Sequence, residues 1–169
     1  HLNEAIANSI YDFRILLDYL ETRGVEQVGV TGISLGGYTA ALLAAVEERL
    51  AFAIPNVPVV SIVDILLEWA PANWLVKGLM ALNDVSVSEA RHQTAVHCPL
   101  SYRPLLPKER LMIVGGAGDR LAPPKHARLL WDHWDRCRMH WFPGNHVAHL
   151  DKGKYLKEMA AFMRDIDFK

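Results

Sequence analysis

Ser34 stands between two glycines in Gly32-Ile33-Ser34-Leu35-Gly36, while Asp119 and His146 each follow an apolar run much later in the chain. A serine hydroxyl is a poor nucleophile near neutrality. It needs an imidazole to accept its proton, and the imidazole needs a carboxylate to hold its tautomer and stabilise its cation. The chemistry open to such a set is acyl transfer, in which the hydroxyl attacks a carbonyl carbon and backbone amides receive the oxyanion. Gly-x-Ser-x-Gly puts its serine at the tip of a strained strand-to-helix turn, where glycines two residues to either side let the backbones approach closely. Amides at the start of the following helix then face the hydroxyl, so the Leu35 N–H is the expected oxyanion donor. A glycine-rich helix start with an ordinary N-cap serine would show the same five residues.

Groups so remote in sequence meet only if a fold brings them together, and the spacing of apolar residues indicates which fold. Leu2, Ile6, Ile10, Phe13, Leu16, Leu17 and Leu20 recur at three- and four-residue steps, which predicts an amphipathic helix ending near Gly24 and covering a sheet. A strand over Val25–Ile33 follows, then the serine turn, then small apolar residues from Tyr38 to Ala45 that predict a buried helix ending near Glu47-Glu48-Arg49. Ala51–Ile54 predicts a short second strand. Leu111–Val114 reads as a strand buried on both faces and ends in Gly115-Gly116-Ala117-Gly118-Asp119. Pro123-Pro124 opens a helix reaching Trp134, Cys137–Phe142 is the last strand before Pro143-Gly144-Asn145-His146, and a helix over Lys152–Arg164 closes the chain. This alternation predicts an α/β fold with a parallel sheet, helices on both faces and right-handed crossovers. In such sheets reactive groups collect at the carboxyl ends of strands, where Ser34, Asp119 and His146 fall in that order.

The 169 residues suffice for a single domain with a real core, and 51% apolar with 22% charged content is ordinary for a globular chain. The net charge of -1 provides no field that would gather nucleic acid, and no polyanionic partner is expected. Cys98 and Cys137 lie far apart, which argues against a disulfide framework or a close-spaced metal pair; free thiols are expected, with no metal and no cofactor. No apolar run reaches the roughly 18 residues of a membrane helix, and no signal-peptide pattern is visible. Because the chain opens on His1 and enters a helical pattern at once, it is read as a candidate fragment; the compartment stays open, with the cytoplasm favoured.

Between the second and third strands, residues 61–103 read as helical pieces over Ile62–Trp69 and Trp74–Leu82, interrupted by Pro71 and followed by a polar stretch from Ser86 to Thr94. A long insertion between strands is more often functional than idle. We expect a cap over a pocket, with Trp69, Trp74, Leu75, Leu79 and Met80 as an apolar surface for the acyl group. The alternative is a plain helical layer on the sheet, for which the same spacing would serve as core.

The Ser, Asp, His order, the glycine-flanked elbow, Gly118-Asp119-Arg120-Leu121-Ala122-Pro123 after one strand and Pro143-Gly144-Asn145-His146 after the next together resemble the α/β-hydrolase family over nearly the whole chain. The resemblance implies a truncated α/β-hydrolase fold with a helical cap-like insertion. It also implies Ser34 as nucleophile, His146 as general base and acid, Asp119 as its orienting carboxylate and the Leu35 amide as an oxyanion donor. His149 is the rival of His146, and Asp119 has the alternative of an N-cap carboxylate before the proline-started helix. Family members usually have several strands before the elbow, and a loop among them supplies a second oxyanion amide; here one helix precedes it. The strand before Ser34 therefore keeps an unpaired edge. A homodimer through that edge or its flanking helices, or completion of the sheet by another chain, is expected.

The expected function is that of a carboxylesterase-like serine hydrolase acting on a small-molecule ester through an acyl-enzyme. The alternative is a non-catalytic α/β-hydrolase domain that serves as a binding or scaffold module because the donor loop is missing. Peptidase or acyltransferase action would use the same three residues and differ in leaving group and acceptor.

Overall fold

The computed structural model describes residues 2–168. Helix α1 (Leu2–Thr22) leads to β1 (Val30–Ile33), the serine turn and α2 (Leu35–Val46). Strand β2 (Ala53–Asn56) is followed by α3 (Ile62–Glu68), α4 (Ala72–Leu82) and α5 (Val87–Thr94). Short 3-10 turns then carry the chain to β3 (Met112–Gly116), α6 (Pro124–His133), β4 (Arg138–Phe142) and α7 (Lys154–Asp165). Among the described residues the sheet has four strands, all parallel, in the order β1-β2-β3-β4. This is the α/β class read from the alternation of elements.

Side chains that alternate along β3 divide the core. Leu111 and Ile113 pack with Leu43, Leu130 and Trp134 on the side of α2 and α6, whereas Met112 and Val114 pack with Ile54, Phe142 and Phe162 on the side of α7. Helices thus cover both faces, and β3 is buried along its whole length. At roughly 1.5–3 kcal/mol for each large apolar side chain removed from water, this double layer is what holds the strand ends in place.

Several elements differ from the sequence expectation. Strand β1 begins at Val30 rather than Val25, because α1 closes with Gly24 in the left-handed region and a Val25 N–H to Leu20 O bond, and the ladder to the next strand starts only where Ala51 N–H donates to Val28 O. Strand β2 covers Ala53–Asn56 rather than Ala51–Ile54 and includes Pro55. The carbonyls of Phe52 and Asn56 accept from Val30 N–H and Ser34 N–H, and Val57 N–H donates to Val114 O, so Pro55 faces β3. Its missing N–H removes the middle rung, and β2 meets β3 only at Ala53 opposite Leu111 and Asn56 opposite Val114. Strand β3 runs on to Gly116, where a Cβ at Gly115 would collide with the Trp141 ring.

Helix α1 does not cover the sheet: it buries only Leu17 and leaves Phe13 and Leu16 exposed with Tyr11, Ile15 and Tyr19. Arg14 Nε, 3.3 Å from the buried Glu47 carboxylate, and Asn3 Nδ2, donating to Gln93 O at 3.0 Å, tie it to the rest of the chain. The polar stretch from Ser86 is helical because Ser86 and Glu89 form a reciprocal capping box, a signal independent of apolar spacing. Helices α4 and α5 bury no side chain completely. No helix of the described residues is long and apolar enough to cross a membrane.

Candidate active site

Strand β1 delivers the chain into a turn at Ser34 with φ 58° and ψ -114°, a conformation that costs a non-glycine residue about 1–3 kcal/mol and persists only where its surroundings enforce it. Ser34 N–H donates to Asn56 O at 3.0 Å, and Ser34 O accepts from Tyr38 N–H at 3.0 Å, so both neighbouring elements hold the residue. The hydroxyl does not cap α2, which disposes of the ordinary N-cap reading. The close approach rests on Gly32, where a Cβ would collide with the Gly36 backbone, and on Gly37, where it would press on Asn56 O and Pro58 Cα. A Cβ at Gly36 would meet open space, so only the first glycine of the pentapeptide is sterically required. Leu35 occupies the first position of α2, where an amide has no intrahelical acceptor.

Asp119 follows β3 and His146 follows β4, and the loops that carry them are joined. Ala117 N–H donates to Phe142 O and Gly118 N–H to Gly144 O, each at 2.9 Å. Gly144, at φ 135°, lies where a Cβ would collide with Ala148 O. Asn145 Oδ1 accepts from the amides of Val147 and Ala148, which closes the turn around His146. Asp119 Oδ2 then lies 2.6 Å from His146 Nδ1, with the two side chains 0% and 15% exposed. Oδ1 of the same carboxylate accepts from Leu121 N–H at 2.8 Å and Ala122 N–H at 2.9 Å. Both carboxylate oxygens are therefore engaged, and their position fixes Nδ1–H as the donor and leaves Nε2 free to take a proton.

Other histidines have other neighbours. His149 stacks on Phe142 at 3.9 Å between centroids and meets the edge of Tyr155, so it packs the loop rather than facing Asp119. His140 Nε2 lies 3.1 Å from Asp151 Oδ2, and the Asp151 carboxylate also accepts from Gly153 and Tyr155 amides. Burial opposes ionisation of Asp151, but these hydrogen bonds prevail and hold it below the usual carboxylate range. His97 Nδ1 meets Tyr38 OH, its Nε2 lies 3.0 Å from Asn3 Oδ1, and burial lowers its affinity for a proton. His126 Nδ1 accepts from Val60 N–H, and burial lowers that ring's affinity for a proton too.

Trp69, Trp74, Leu75 and Leu79 are exposed, and Met80 is half-buried, on and beside α4. The cavity beside His146, about 370 Å³, is lined instead by Gly118, Arg120, Leu121, Asn145, His146 and Val147. Sequence reasoning passed over Asp151 and Arg120; the Asp-Lys-Gly just before α7 was the available signal for the first, and the second was visible only as part of the loop after β3. Burial raises the Cys137 thiol to about 12, which leaves it inert, and Cys98 Sγ–H donates to Val60 O. Among the described residues no three His, Cys, Asp or Glu side chains converge as a metal would require.

The sequence pattern of the prolyl oligopeptidase family, peptidase S9, matches residues 6–166. The chain belongs to the prolyl oligopeptidase family. Two uncharacterized Mycobacterium tuberculosis proteins, MT2702 and Rv2627c, are each 35% identical to it over 146 residues, 84% of this chain and 34% of theirs. The chain thus spans about a third of the length of these curated relatives. Among solved structures, acylaminoacyl peptidase in complex with Z-Gly-Gly-Phe-chloromethyl ketone superposes with a TM-score of 0.65 at 15% identity, over 88% of this chain and 26% of that one. MGS-MChE2, an α/β hydrolase from the sediment metagenome of the Mar Chica lagoon in Morocco, gives 0.57 at 23% identity, over 94% and 71%. The prolyl oligopeptidase family chain therefore has the α/β-hydrolase fold, truncated to four strands among its described residues.

Proposed function

We propose that this prolyl oligopeptidase family chain is a serine hydrolase that cleaves carboxylic esters through an acyl-enzyme. The observation that carries the reading is the 2.6 Å contact between buried Asp119 and His146 at the ends of adjacent strands. Ser34 Oγ passes its proton to His146 Nε2 and bonds to the acyl carbon, while Asp119 stabilises the imidazolium and the Leu35 N–H receives the oxyanion. The C–O bond then breaks, the alcohol leaves with the proton from Nε2, and water repeats the sequence to release the acid. Family membership favours a second reading, in which the same steps act on a peptide amide and an amine departs. The helices of 61–103 form a cap in this proposal, and Trp69, Trp74, Leu75, Leu79 and Met80 supply its apolar acyl surface.

Labelling by a fluorophosphonate probe tests the proposal. A covalent adduct is expected on the wild type and not on Ser34→Ala. Absence of a Ser34-dependent adduct would overturn the enzyme reading and leave the binding or scaffold module. A p-nitrophenyl ester series of rising chain length then addresses the acyl surface: a clear optimum supports it, and a flat profile removes it.

A further inference from the structure

The cavity beside His146 differs in chemistry from the apolar helix α4. Leu121 and Val147 supply apolar wall, and Arg120 contributes a guanidinium. Arg120 is exposed and has no ion pair or hydrogen bond among the described residues. The carboxylate next to it in sequence, Asp119, is buried and already engaged by His146 and two amides, so it does not neutralise that charge. The neighbouring cations Lys125 and Arg128 are engaged elsewhere, by Glu68 and by the Trp141 ring. Asn145 also lines the cavity, and its Oδ1 is occupied by the Val147 and Ala148 amides, which leaves its NH2 to donate. A cation and an amide donor thus stand together on one apolar wall.

We infer that this cavity holds the leaving group and that Arg120, assisted by Asn145, selects substrates whose leaving group carries a carboxylate. The inference rests on the serine hydrolase reading and deepens it. The cavity is lined by His146, and neither Ser34 nor Leu35 borders it; in this inference it receives the fragment that His146 protonates as it departs. When Ser34 Oγ bonds to the acyl carbon and the C–O or C–N bond breaks, the departing oxygen or nitrogen takes the proton from His146 Nε2. A carboxylate a few bonds away on that fragment is within the chemistry of a planar guanidinium, which binds carboxylates through two parallel N–H donors. The matching substrates are esters of hydroxy acids and peptides cut close to a free carboxyl terminus.

The test compares para-acetoxybenzoate with its methyl ester, and N-acylated dipeptides with free and amidated carboxyl termini. Wild type is expected to favour the anionic member of one pair by about two- to fivefold in kcat/KM, the range for one partly exposed charge pair. The ratio should fall toward one in Arg120→Ala, invert in Arg120→Glu, and shrink as salt is raised. Arg103→Ala, on the exposed surface and outside the cavity, should leave the ratio as in wild type. The pair that shows the preference identifies the hydroxy-acid or the peptide source. A ratio near one in wild type, or one that Arg120→Ala does not change, overturns the inference even when fluorophosphonate labelling of Ser34 succeeds. Failure of that labelling removes the serine hydrolase reading and this inference with it.

Discussion

Replacing Asp119 by asparagine keeps the shape of the side chain and exchanges one oxygen for an NH2, and the surrounding hydrogen bonds decide which way the amide turns. Oδ1 accepts from the Leu121 and Ala122 amides at 2.8 and 2.9 Å, so an asparagine keeps its oxygen there. Turned the other way, its NH2 would oppose two N–H donors in a buried site, at about 1–3 kcal/mol for each donor left unsatisfied. The NH2 therefore points at His146 Nδ1, where Oδ2 now lies at 2.6 Å. An amide donor at that place makes Nδ1 the acceptor and puts the proton on Nε2, the nitrogen that receives the Ser34 proton in the proposed mechanism. The expected loss in turnover is on the order of ten-thousandfold, the size of the same tautomer fault in serine proteases. The expected loss in stability is small by comparison, about 1–2 kcal/mol for a charge-assisted bond replaced by a neutral one. Burst kinetics with p-nitrophenyl acetate and the rate of fluorophosphonate labelling measure the first quantity, and urea unfolding measures the second. A folded Asp119→Asn variant with turnover within about tenfold of wild type would refute the tautomer argument.

Further outcomes follow from the same geometry. Gly32→Ala is expected to lose about 1–3 kcal/mol in urea unfolding because its Cβ meets the Gly36 backbone, whereas Gly36→Ala, with open space, should be neutral or up to about 1 kcal/mol more stable; equal effects would contradict the steric assignment. The Arg49 side chain, with Arg14, holds the buried Glu47 carboxyl down at about 2 against an ordinary 4.5. That shift contributes roughly 3 kcal/mol, present above 4.5 and lost as pH falls through about 2, so unfolding free energy measured against pH should lose this slope in Glu47→Gln. Asp151→Asn loosens the far end of the loop that carries His146, and a fall of about tenfold in kcat with little change in KM is expected; a change confined to KM would show that the loop end does not position the ring. The position of β1 at the edge of the sheet among the described residues and the exposed apolar side chains of α1 lead us to propose a homodimer through that side, so light scattering should give twice the chain mass, and a monomer at high concentration refutes it.

How much of this was legible beforehand depended on how local each signal is. The serine turn, the glycines around it, the apolar run of β3 and the proline start of α6 are written in neighbouring residues, and their elements appear where spacing placed them, within a few residues. The misjudged boundaries have a non-local cause. Strand β1 is shortened by where β2 meets it, and β2 tolerates Pro55 because the lost rung lies between two others. Helix α1 carries a regular apolar stripe, yet only Leu17 finds a buried place, since periodicity says that a face is apolar and not that anything lies against it.

Taken alone, the order of residues determined the alternation of strand and helix, the parallel sheet and the placing of Ser34, Asp119 and His146 after strands, because backbone propensity and side-chain period act over a few residues. Only the tertiary structure decided that Asp119 faces His146 while His149 stacks on Phe142 and His140 turns to Asp151. Three histidines within ten residues are chemically alike in sequence. What separates them is the loop pairing between Gly118 and Gly144 and the ring packing beneath it, contacts between segments that meet only when adjacent strands align.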